Sequence, residues 1–163
     1  TAYGEQETFT TLPPYSVGKS YGGGIIFYID ASGVHGLIRA TSDLGSTNVV
    51  AWGCKGTNIP GTSTSIGSGQ ANTTAIVNAC STPGIAARLC DDLVLDGFSD
   101  WFLPSRDEFL ELCHTLNIST SRYWWTSSQV NLNNSNISGV DCIAGSNGQS
   151  KDLPEWVWPV RKF

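Results

Sequence analysis

The residues of this chain that could do chemistry are few, and their spacing excludes most of it. There are five cysteines and two histidines in 163 residues. Cys54, Cys80, Cys90, Cys113 and Cys142 form no C-x-x-C pair, and neither His35 nor His114 stands at ligand spacing from a thiol, so no metal site is expected. His35 reads as a strand-end or turn residue, because no Ser, Cys or carboxylate lies at a spacing that would make it the base of a nucleophile. Asp91, Asp92, Asp96 and Asp100 are crowded together but lack the D-x-D-x-D-G order of a calcium loop, and capping or turn roles are expected for them. The Gly- and Ser-rich run 61–69 does not follow G-x-x-x-x-G-K, so no phosphate cradle is read there. No cofactor is expected.

What the cysteines can do is cross-link. Five is odd, so at least one thiol stays free or pairs outside the chain, and about 15 two-bridge arrangements remain open. Cys54 with Cys80 is the expected bridge, because it would tie a long polar segment to the first helix. Closing a loop of that size is worth roughly 3 kcal/mol in the chain-entropy account. Cys90 and Cys113 read as small buried hydrophobes on two helix faces.

The elements that must position these residues are organised around the stretch Gly97 to Leu112, read as turn, buried strand and helix. Pro104 ends the strand, and Ser105 with Glu108 forms a capping box that starts the helix. Phe109, Leu112, Cys113 and Leu116 then fall on one stripe facing a core. Upstream, residues 1–20 read as an extended lead-in, and Ile25 to Ile29 with His35 to Ala40 as a β-hairpin. Ser42 to Ala71 is a long polar segment, of the kind that is functional or mobile in a compact domain. Asn72 is expected to cap a helix over Thr73 to Ala79, with a second helix from Ile85 to Leu93; Ile76, Cys80, Leu89 and Leu93 are their expected core residues. Strands are expected over Tyr123 to Ser128, Val140 to Ala144 and Trp156 to Arg161. An Asn-rich loop spans Asn131 to Asn136, and a turn Gly145 to Gln149. The fold class is α+β with antiparallel strands, in one domain over residues 21–163.

Composition narrows the function. Charged residues are 14% of the chain, about half the usual share, while Trp reaches 6 and the formal net charge is -5. Nucleic-acid binding rests on clustered Lys and Arg, which are missing here, and no apolar run is long enough to insert in a membrane. The chain starts at Thr1 without a leader and contains no Met, so it reads as a processed protein or an excised domain.

Four motifs in order carry a resemblance. Gly84 to Leu93, then Gly97-Phe98-Ser99-Asp100-Trp101-Phe102-Leu103-Pro104-Ser105 with Glu108 and Leu112, then Trp124-Trp125-Thr126-Ser127-Ser128, and finally Val157-Trp158-Pro159-Val160-Arg161 resemble the C-terminal domain family of the Legionella collagen-like adhesin. The likeness covers roughly residues 20 to 163. It implies a C-type-lectin-like fold with two helices, antiparallel strands and long loops, shared with bacterial surface proteins and with variable binding domains of phage tails and diversity-generating systems. It also implies binding at surfaces, often as a homotrimer at the end of an upstream stalk or fibre segment. A basic face for sulfated glycosaminoglycans is not offered at -5, and the E-P-N and W-N-D signatures of calcium-dependent sugar lectins are missing.

The expected function is therefore an extracellular, cell-surface or virion-surface binding domain, without enzymatic activity, that recognises glycan or protein on a target cell. The alternatives are a structural tip or cap of a fibre or pilus, and a formylglycine-generating-type enzyme, which would need a reactive cysteine pair that no flanking charge marks here. In the implied fold the long loops gather on one side. The candidate ligand-binding residues on them are Trp52, Lys55, Asn58, Asn131, Asn133, Asn134 and Asn136, with Trp124 as a neighbour. Carboxamides both donate and accept without charge, which suits hydroxyl-rich ligands.

Overall fold

A computed structural model of the chain describes residues 14–41, 44, 49–118, 121–138 and 148–163, with backbone alone at 136–138. The expected strand Val140 to Ala144, most of the turn Gly145 to Gln149, and Cys142 lie outside them. The described residues form an α+β arrangement of three helices and two antiparallel sheets. Strands β1 (Ser20–Tyr21), β2 (Gly24–Ile29), β3 (Gly36–Ala40) and β7 (Val160–Lys162) make one sheet in the order β1-β2-β3-β7. Strands β4 (Trp124–Gln129), β5 (Asn134–Ser138) and β6 (Gln149–Ser150) make the other. Helices α1 (Gly69–Ala79), α2 (Ala86–Asp91) and α3 (Arg106–Thr115) lie in sequence between β3 and β4.

The β2–β3 hairpin forms as its β-branched runs require, with Ile26 opposite Ile38 and both side chains buried. Pairing already starts upstream of residue 21: Gly18 N–H donates to Ile26 O, and Tyr15 packs edge-on against Phe163. Two expected strands are shorter than read. Trp101 to Leu103 is extended and buried, but among the described residues its backbone pairs with another strand only through the two-way bridge between Phe102 and Val160, while Leu103 is held by the Thr73 hydroxyl. In the terminal run only Val160–Lys162 joins a sheet, since Pro159 has no N–H and Trp156 bridges Trp124 instead. The last strand is locked by Arg161, whose guanidinium donates to both carboxylate oxygens of Asp100 at 2.7 and 2.9 Å and lies over the Phe98 ring.

Helix α3 begins where the capping box places it. Ser105 Oγ accepts from Glu108 N–H, and Glu108 Oε2 accepts from Ser105 N–H at 2.7 Å. Phe109, Leu112 and Cys113 are buried on the expected stripe. Glu108 does more than the motif requires. Its other oxygen accepts from Gly67 N–H at 2.8 Å and Gly69 N–H at 3.3 Å, so one carboxylate sits at the N-termini of α3 and α1 together. A negative group there meets unpaired N–H donors and the positive ends of two helix dipoles. The approach demands glycine: a Cβ on Gly69 would stand 2.2 Å from Glu108 Oε2.

This changes the reading of α1. Asn72 does not cap it; the N-cap is Ser68, which makes no side-chain cap bond, and the missing acceptor comes from Glu108. Asn72 lies inside the helix, buried, and its carboxamide clasps Ser63, accepting from its N–H at 2.9 Å and donating to its carbonyl at 2.7 Å. The segment 61–68 is thereby stitched to the domain through Ser63, Ser65 and Ser68, and Ser128 Oγ donates to Ser63 O at 2.8 Å. Helix α2 is also shorter than Ile85 to Leu93, stopping at Asp91. Leu93 and Leu89 are only partly buried, whereas Ile76 and Cys80 are core residues. The largest apolar cluster joins Trp52, Ile59, Ile76, Cys80, Ile85, Leu103, Trp125 and Val157 beneath the long polar segment.

Candidate functional site

The bridge between Cys54 and Cys80 is present, with Cα atoms 5.8 Å apart. It anchors one end of a surface platform built from residues 54–59, the 129–134 turn and the end of β6. Cys113 is buried, as read, but it is also disulfide-bonded, and this corrects its reading as a plain apolar residue. Cys90 is the free thiol among the described residues, and burial pushes its pKa well up, so it stays protonated and unreactive.

The platform rests on Lys151. Its backbone N–H donates to Asn133 O at 2.9 Å and its carbonyl accepts from Gly53 N–H at 3.1 Å, which fixes it between the two loops. The side chain is fully buried. Nζ donates to Gln129 Oε1 at 2.7 Å and Thr57 O at 3.0 Å and lies 4.4 Å from the centroid of the Trp52 ring. No carboxylate pairs with it among the described residues. Two neutral acceptors and an aromatic face stand in for a counter-ion, and burial pulls the ammonium pKa down to about 8.

Gln129 distributes this anchorage. Its Oε1 also accepts from Ile59 N–H at 3.1 Å, and its Nε2 donates to Asn58 Oδ1 at 2.7 Å. Gly56 N–H donates to Leu132 O at 2.8 Å, closing the contact between the two loops. At the rim Lys55 pairs with Asp152 at 2.8 Å, an exposed contact in which Lys55 and then the Ser150 hydroxyl hold the Asp152 carboxyl down at about 2. The outer surface carries Lys55, Asn58, Asn131 and Asn133 together with the exposed apolar side chains Val130, Leu132 and Leu153. That is a low-charge surface of amides and aliphatic groups on a braced base.

Of the residues expected to bind, Lys55, Asn58, Asn131 and Asn133 are thus brought to one face. Asn131 also shapes the turn it sits in, because its Oδ1 accepts from Asn133 and Asn134 N–H, both at 2.9 Å, in an Asx-type arrangement. The stretch Asn131 to Asn136 is not a loop throughout, because Asn134 and Asn136 belong to β5, where Asn134 is half-buried; the Asn136 side chain lies outside the described ones. Trp52 and Trp124 are not on the surface. Trp52 is wholly buried, with its indole N–H donating to Thr126 O at 2.8 Å, and Trp124 is 3% exposed, packed among Phe109, Trp156 and Trp158. An indole gains more from burial of its apolar faces than from a place on polar loops, and the core takes both.

The residues that sequence reasoning missed are Lys151, Gln129, Leu132 and Asp152. Lys151 lies 22 residues from Gln129 and 94 from Thr57, so no local pattern announces the contact. His35 and His114 take no part in the platform, and both side chains are exposed. Among the described residues no three His, Cys, Asp or Glu side chains converge as metal ligands, and no helix is long and apolar enough to cross a membrane. No family model matches the chain, and no curated protein matches it in sequence.

Proposed function

We propose that this chain is a C-type-lectin-like binding domain, displayed outside the cell or on a virion, that holds a glycan or protein of a target surface on the platform of residues 54–59 and 129–133. One observation carries the reading: two irregular loops that expose amides and aliphatic groups are braced from below by the buried Lys151 and from the side by the Cys54–Cys80 bridge. Irregular backbone is normally mobile, and ordering it at the moment of binding opposes affinity. Bracing removes that cost in advance. The surface it presents can exchange neutral hydrogen bonds and apolar contact with hydroxyl-rich ligands, whereas an anionic partner would meet a chain of net charge -5. The order of motifs that resembles the adhesin C-terminal domain family points the same way, and the disulfide suits an oxidising compartment.

The test is a glycan array together with target-cell adhesion, run on the parent and on a quadruple variant, Lys55→Ala, Asn58→Ala, Leu132→Ala, Asn133→Ala. Attachment should fall at least tenfold while the melting temperature stays within a few degrees, because these side chains are exposed, the bonds lost (Gln129 Nε2 to Asn58 Oδ1 and Lys55 to Asp152) lie at the solvent-facing rim, and Asn131, which builds the turn, is left in place. Undiminished attachment by the folded variant would assign the ligand to another face, and no attachment by the parent would favour a fibre tip without a ligand of its own.

A further inference from the structure

A cleft lies on the other sheet, at the turn end of the β2–β3 hairpin, and has a cavity volume of about 370 Å³. That falls within the range of about 300–1,000 Å³ typical of small-ligand sites. Its walls are apolar: Tyr28 and Leu37 from the hairpin, Phe163 from the chain end and Ile66 from the braced polar segment. The backbone around it is already satisfied, since Gly36 and Phe163 exchange hydrogen bonds both ways and Gly67 N–H is taken by Glu108. Two side chains at its edge are not. Lys162 donates one N–H, to Gly67 O at 3.1 Å, and acts on the Glu108 carboxylate through its field without a close ion pair among the described residues; the His35 imidazole makes no hydrogen bond to any of them. Asp30, the acid at the same edge, accepts from the N–H and hydroxyl of Ser32, which favour its carboxylate form, and the His35 imidazole beside it acts in the same direction.

We propose that this cleft binds a small monocarboxylate with an aromatic or aliphatic body, the body seated between Tyr28, Leu37 and Phe163 and the carboxylate received by Lys162 and His35. The juxtaposition of an apolar slot with two nitrogen-bearing side chains that keep donor capacity to spare is the chemistry such a molecule needs. Ile66 belongs to the same polar segment whose residues 54–59 form part of the platform, yet the cleft shares no residue with that platform and the inference does not depend on it.

The experiment is a two-dimensional amide NMR titration of the isotope-labelled chain with 3-phenylpropionate, 3-phenylpropionamide and 2-phenylethylamine as probes. Shifts confined to residues 28–37, 66–67 and 162–163 are expected, with the acid binding about fivefold more tightly than its neutral amide and the amine weakest. Lys162→Gln should reduce the acid to the affinity of the amide, Lys162→Arg should restore most of the preference, and Ile66→Ala should weaken all three probes alike. Absence of localised shifts, equal binding of acid and amide, preference for the amine, or an unchanged acid affinity in Lys162→Gln would each overturn the proposal.

Discussion

Two buried charges hold the long polar segment, Lys151 near its middle and Glu108 at its C-terminal end, and they do it by different means. Glu108 receives three backbone N–H groups, from Ser105, Gly67 and Gly69, and Lys151 delivers its protons to a carbonyl and a carboxamide beneath an indole face. Neither has an oppositely charged side chain in contact among the described residues. The carboxylate exploits dipoles that helices supply as a by-product of their geometry, whereas the ammonium needs acceptors collected from segments far apart in the chain. Buried charge here organises irregular backbone, since neither group adds a favourable ion pair and both are desolvated.

The titration of the two groups shows the same cost from opposite sides. Burial raises the Glu108 pKa, so the stability it contributes falls as pH rises from the unfolded value of 4.5 through the raised folded value. Burial lowers the Lys151 pKa from 10.5 to about 8, so its contribution grows as pH rises from about 8 to 10.5. Between these windows both are ionised, and the fold carries the expense of both.

The largest break in the comparison is Glu108→Ala. Two buried N–H groups, of Ser105 and Gly69, and the part-buried one of Gly67 lose their acceptor and a side-chain-sized cavity opens, for a loss of about 4 kcal/mol in urea denaturation. A loss under about 1 kcal/mol would mean that water replaces the carboxylate and that the two helix ends are not joined through it.

Lys151→Met should be milder, about 2 kcal/mol at neutral pH, because the volume is kept, Gln129 Oε1 retains Ile59 N–H, and removal of a desolvated charge offsets part of the lost bonding. The comparison is sharpened by pH. The stability of the parent minus that of Lys151→Met should increase as pH rises from about 8 to 10, and taking the difference cancels the opposing effect of the buried Cys90 thiol. A flat or falling difference would show that Lys151 is not desolvated in solution.

The smallest effect expected is Ser105→Ala, about 1 kcal/mol, since Glu108 Oε2 still covers Ser105 N–H when the reciprocal half of the capping box is gone. Thermal melting with attachment measured in parallel checks it: the melting temperature should drop by a few degrees while binding is unchanged.

The sequence determined the elements whose signals are local. Ser105 and Glu108 are three residues apart and specify the start of α3, the stripe Phe109, Leu112 and Cys113 specifies its buried face, and alternating β-branched runs specify the hairpin, because each depends on neighbours within one or two turns or across one tight turn. The Cys54–Cys80 bridge was legible too, as the link that best restrains a long segment. Only the tertiary structure decided that Trp52 and Trp124 fill cores instead of lining a surface, that α1 borrows its cap from a carboxylate 39 residues away, and that a lysine in an unremarkable polar tail bears the platform. Burial and long-range hydrogen bonding are properties of which segments meet, and for Lys151, Gln129 and Thr57 that meeting is set by the packing of both sheets and the helices between them.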